Sequence, residues 1–93
     1  MILLNRQELE MLHKHSISNE IELMSSNLCG CFYCNRLFKP NRVKEFITEK
    51  DGTRTAHCPY CGIDSVIGDF AYRNLDSKVL KEMHKEFFDK MVK

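Results

Sequence analysis

The chain has 93 residues, with 14 basic and 13 acidic side chains and a formal net charge of +1. That length argues for one domain with a thin apolar core, so a metal is a useful source of stability. The balanced charge excludes a strong overall field for nucleic acid or a membrane surface. The opening Met1-Ile2-Leu3-Leu4 is cut short by Asn5, Arg6 and Glu8. That is too short for a secretory signal, or for the roughly 20 apolar residues of a membrane span. The chain reads as soluble and cytoplasmic, with no membrane partner.

In chain order, residues 1–28 read as a helical segment. Asn5 caps a first helix, with Glu8 as its capping-box partner and Leu9 and Leu12 as the apolar stripe. Ser16 or Ser18 is expected to cap a second short helix carrying Ile21, Met24 and Leu28 on one side. Residues 29–70 hold the cysteines and read as β-structure. Pro40 predicts a turn or short helical step at 40–43. Glu45–Glu49 and Thr53–His57 flank Lys50-Asp51-Gly52, where Asp-Gly predicts a type I′ hairpin turn. Ile63–Ile67 reads as a further strand ended by Gly68. Residues 75–92 read as a helix capped by Asp76 or Ser77, with Val79, Leu80, Met83, Phe87 and Met91 at helical spacing. Lys90 and Lys93 suit the negative end of its dipole.

Cys31-Phe32-Tyr33-Cys34 and Cys58-Pro59-Tyr60-Cys61 are the chemically informative motifs. Two residues between cysteines let the backbone curl so that both sulfurs aim at one centre, while amides of the curl donate to the thiolates. Asn35 and Gly62, next after each pair, can take the left-handed conformation that closes such a turn. Four thiolates make a closed tetrahedral site for Zn²⁺, a cofactor that stabilises the fold and does not activate a substrate. Iron would take the same ligand set. A thioredoxin-like pair needs a βαβ setting that the chain lacks, and buried metal-free thiols are the weaker reading. Cys29 reads as a partly buried free thiol beside the site. His57, a substitute ligand at most, is expected to point away from Cys58.

The paired turns, with Cys-Pro-x-Cys-Gly in the second, resemble zinc-ribbon modules. The runs Cys29–Cys34 and Cys58–Gly68, with Phe38-x-Pro40 and Met83-His84, also resemble a family of small, uncharacterised bacterial and phage "cytoplasmic proteins". That resemblance covers most of the chain from about residue 15 and implies a zinc-binding cytoplasmic protein with no settled activity. The expected fold is α+β: a four-cysteine ribbon of about three short antiparallel strands. N-terminal helices and a C-terminal amphipathic helix pack on one face of it.

Candidates for catalysis are Asp64, Ser65, Asp69, His13, His15, His57 and His84. Asp64 is expected to bond turn amides. Ser65 has no adjacent base, and no histidine spacing suggests the second cluster a metal-dependent nuclease needs. The chain is therefore expected to be no enzyme but an interaction module, binding an unidentified partner protein in a regulatory role. Tyr33 and Tyr60, at equivalent places in the two metal turns, are the expected contact residues. The alternative partner is nucleic acid, through the basic run Arg36, Lys39, Arg42 and Lys44. Oligomeric state is left open.

Overall fold

Asn5 starts the first helix as its spacing predicts. Its side chain accepts from the Glu8 amide at 2.8 Å and the Glu8 carboxylate accepts from the Asn5 amide at 3.0 Å. This capping box opens α1, Arg6–Lys14, and Leu9 and Leu12 are its buried residues. The computed structural model describes residues 4–89. The expectations for Met91, Lys90 and Lys93 lie outside the described residues, as does most of the apolar opening.

The second helix corrects the sequence reading. It is α2, Glu20–Met24, and its N-cap is Asn19, not Ser16 or Ser18. The expected apolar face is also wrong. Leu23 is the buried residue, while Ile21 is 80% and Met24 54% exposed. A helix of five residues is too short for periodicity to choose its buried face.

Among the described residues, five short strands follow where about three were expected: β1 Cys29–Cys31, β2 Leu37–Phe38, β3 Phe46–Thr48, β4 Arg54–Ala56 and β5 Val66–Gly68. All pairings are antiparallel. One sheet has the order β2-β1-β5 and the other is the β3-β4 hairpin. Ile63 belongs to the turn that follows Cys58, where its carbonyl accepts from the Cys58 amide, and Gly68 pairs inside the strand it was expected to end. The 3-10 turn Pro40–Arg42 stands where Pro40 placed it.

The hairpin turn is not type I′, which needs positive φ at both central residues. Only Gly52 has it, at φ 90°. The Glu49 amide donates to the Thr53 carbonyl and the Gly52 amide to the Glu49 carbonyl. Lys50, Asp51 and Gly52 thus form a three-residue loop, and the Asp51 carboxylate accepts from the Thr53 amide at 3.0 Å.

The last helix, α3, spans Ser77–Phe87, with the Asp76 side chain accepting from the Val79 amide. Phe88 is its C-cap and still donates its amide to the His84 carbonyl at 2.8 Å, while residues 90–92 of the expected span lie outside the described residues. Val79, Leu80 and Met83 are fully buried.

Strand alternation divides the interior in two. Gly30 and Ile67 face α1 and α3 in a cluster with Leu9, Leu12, Phe32, Leu75, Val79, Leu80 and Met83. Gly30 permits close approach, because a Cβ there would lie 2.7 Å from Leu80 Cδ1. Cys29, Cys31, Phe38 and Val66 face the other way, toward Leu23 of α2, Val43, Ala56 and Cys58. The helices therefore cover both faces of the sheet, not one. An Arg54–Glu20 ion pair joins the hairpin to α2. Among the described residues, no helix is long and apolar enough to cross a membrane.

Candidate metal centre

Each cysteine pair sits in a curl of the same construction. In the first, the Asn35 amide donates to the Cys31 carbonyl at 2.7 Å and the Cys31 amide to the Arg36 carbonyl at 3.0 Å. In the second, the Gly62 amide donates to the Cys58 carbonyl at 3.0 Å and the Cys58 amide to the Ile63 carbonyl at 2.9 Å. Asn35 at φ 64° and Gly62 at φ 80° provide the left-handed residue each curl needs. The Tyr33 amide donates to Cys31 Sγ and the Tyr60 amide to Cys58 Sγ, both at 3.3 Å. The Cys61 amide adds a second donor to Cys58 at 3.4 Å.

The sheet brings the two curls together. The first connects β1 to β2, and the second leads into β5, which pairs with β1. The sulfurs of Cys31, Cys34, Cys58 and Cys61 all lie within 4.8 Å of one another. Cys31 and Cys61 are 3.6 Å apart, and Cys34 and Cys58 are 3.7 Å apart. Four sulfurs about 2.3 Å from one ion define a tetrahedron with edges of about 3.8 Å, whereas a disulfide needs about 2.05 Å. All the cysteines are free. The four are positioned to bind one metal ion.

Electrostatics fit that purpose. Burial pushes the Cys34 thiol up, against an opposing amide of Arg36, and crowding by Cys31 and Cys58 adds to it. Burial likewise raises Cys61 far above the ordinary thiol range, with Cys31 beside it. Burial acts upward on Cys58 too, but the amides of Cys61 and Tyr60 outweigh it with the help of neighbouring thiols, and its pKa is lowered. Cys58 is thus shifted toward the thiolate, while Cys34 and Cys61 are shifted toward the thiol, whose proton a cation must displace.

Ser65 has a role that the sequence does not reveal. It is 2% exposed, and its Oγ lies 3.1 Å from Cys31 Sγ. Beside a thiolate the hydroxyl is the donor. Its carbonyl also accepts from the Phe32 amide at 3.0 Å. Thirty-four positions separate Ser65 from Cys31, so no local signal links them. Donors of this kind hold ligands in orientation. Ser65→Ala is expected to weaken metal binding about 10–100-fold, measured by competition with a chromophoric chelator. Affinity unchanged in the variant would remove this role.

The remaining candidates are dispersed. Cys29 is fully buried, not partly, and burial pushes its thiol up to about 12, with Asp69 adding to the effect. His57 stands outside the sulfur cluster, its amide donating to the Glu45 carbonyl. His13 packs on Phe87 at 4.4 Å between ring centres. His15 Nδ1 lies 2.8 Å from the Glu22 carboxylate, and His84 Nδ1 donates to the Phe32 carbonyl at 3.0 Å. Asp64 is exposed and, among the described residues, makes no bond to a turn amide. Asp69 accepts from the Asn27 amide at 2.9 Å.

The two tyrosines lie in different settings. Tyr33, 44% exposed, meets Phe88 edge-on at 4.9 Å and lies 5.9 Å from His84. Tyr60, 49% exposed, carries the Arg36 guanidinium 4.9 Å over its ring and has Phe38 at 5.8 Å. Beside Tyr60 runs a groove of about 440 Å³, lined by Arg42, Lys44, Glu45, His57 and Pro59. The fold thus gathers Arg36, Arg42 and Lys44 near Tyr60. Lys39 is exposed but does not line the groove, and neither does Tyr33.

No family model matches the chain, and neither the curated proteins nor the solved structures contain a match.

Proposed function

We propose that the chain is an interaction module built on one structural zinc ion, and that it binds a partner protein in a regulatory role. The observation that carries this reading is the convergence of four sulfurs in two amide-lined curls. Four protein ligands complete a tetrahedral shell and leave no position for substrate or water. The reading therefore assigns the chain no catalytic step. It is supported by two half-exposed tyrosines on the metal turns, held by neighbouring rings and a guanidinium. Such side chains offer large contact area at small entropic cost.

Elemental analysis of the purified chain is expected to give one zinc per molecule; a coloured, iron-loaded product would replace zinc with iron. The double variant Tyr33→Ala/Tyr60→Ala is expected to keep its metal and lose the protein that cross-links to the wild type in its host. An unchanged cross-linking pattern would overturn the tyrosine surface.

A second reading, nucleic-acid binding, draws on the gathering of Arg36, Arg42 and Lys44 near Tyr60. It requires strong retention on heparin that falls steeply with salt. Elution at low salt would dismiss it.

A further inference from the structure

We propose that the groove beside the second metal turn takes an acidic peptide segment of the partner, its carboxylates held by Arg36, Arg42 and Lys44 over a floor of Tyr60 and Pro59. This deepens the protein-binding reading and rests on it. Charge complementarity is the first support. Among the described residues, Arg36, Arg42 and Lys44 have no ion-pair partner, whereas Arg6 pairs with Glu10 and Glu86, and Arg54 pairs with Glu20. Arg42 and Lys44 line the concavity and Arg36 lies over the ring of Tyr60 at its side, so three unpaired cations form an anion-seeking surface in a chain whose total charge is only +1.

Geometry favours carboxylates on a peptide over a nucleic-acid strand. Base stacking needs a free aromatic face, but Arg36 covers one face of Tyr60 and Phe38 lies close by. Tyr33 is already occupied by Phe88 and His84. Glu45 lines the same groove and repels a continuous phosphate backbone, whereas a peptide can place an apolar or basic residue opposite it. Arg36 holds its guanidinium 4.9 Å over the Tyr60 ring, and an arginine fork matches a carboxylate in bidentate fashion. The groove volume suits a few residues of an extended chain.

The test titrates the metal-loaded full chain with three fluorescent probes. These are a short peptide of Asp and Glu around one Phe, its Lys-substituted counterpart, and a single-stranded oligothymidylate of equal charge. The acidic peptide is expected to bind, and Arg42→Glu/Lys44→Glu to weaken it about tenfold or more, with metal content and circular dichroism unchanged. Lys78→Glu/Lys81→Glu, the same charge change placed on α3, is expected to leave binding within about twofold of wild type. Equal weakening by both double variants would reduce the effect to a general field and overturn the proposal. Absence of acidic-peptide binding up to about 1 mM would also overturn it. Tighter binding of the oligothymidylate would transfer the groove to nucleic acid. If the cross-linked partner is lost in the tyrosine variant but kept in Arg42→Glu/Lys44→Glu, the groove proposal fails while the protein-binding reading stands.

Discussion

Stripping the metal with a strong chelator is expected to unfold the segment from Cys29 to Gly68, measured as collapse of amide proton dispersion and loss of exchange protection. The ligands are themselves part of the core. Cys31 and Cys58 are buried and pack with Leu23, Phe38, Val43, Ala56 and Val66. The cluster is small, and its strands are only two or three residues long. Zinc in comparable four-ligand peptides contributes roughly 10–16 kcal/mol in apparent terms. The net stability of a small domain is about 5–15 kcal/mol. Removing the first quantity exhausts the second. Acid acts in the same direction. Burial holds Cys34 and Cys61 protonated in the metal-free cage, so the metal displaces protons when it binds. Lower pH favours the protonated, metal-free side, and higher pH favours the loaded one. Calorimetry in buffers of different ionisation enthalpy is expected to show proton release on binding. A metal-free chain with full dispersion, or binding without proton release, would contradict this account.

Asn19→Leu is expected to destabilise the metal-loaded protein by about 2–6 kcal/mol, from two buried backbone groups at about 1–3 kcal/mol each. Asn19 is 1% exposed and its amide is spent in three directions. Nδ2 donates to the Val66 carbonyl at 2.7 Å and to the His15 carbonyl at 3.0 Å. Oδ1 accepts from the Ala56 amide at 3.0 Å. One side chain therefore joins the start of α2 to β5 of one sheet and β4 of the other. Leucine has similar volume and no polar atoms, so it leaves the Val66 carbonyl and the Ala56 amide buried without partners. Urea unfolding at saturating metal measures the loss. A midpoint equal to wild type would show that the two sheets are held together by the metal and apolar packing alone.

Asn19 also marks how far the sequence reaches. The elements read correctly are those whose causes lie within a few residues. The Asn5–Glu8 capping box and the Asp76 cap close over three positions. Each metal curl closes over four or five, with Asn35 and Gly62 in the left-handed places the spacing requires. The ligand set Cys31, Cys34, Cys58 and Cys61 was legible for the same reason, since each half is a local device and the halves match. The errors lie where a local pattern was too short to decide. Five residues of α2 could not show that Leu23 faces inward and Ile21 outward. Strands of two or three residues left almost no alternation to count.

The amino-acid order alone determined the chemistry of the centre and the capped helices around it, because hydrogen bonds spanning three to five residues and sulfur spacing are local matters. Only the tertiary structure decided which partners met across the chain: Ser65 with Cys31, Asn19 with both sheets, and Arg42 and Lys44 with Tyr60. Those meetings follow from burying two apolar clusters on opposite faces of one small sheet. Packing of that kind is a property of the assembled chain and of no single segment.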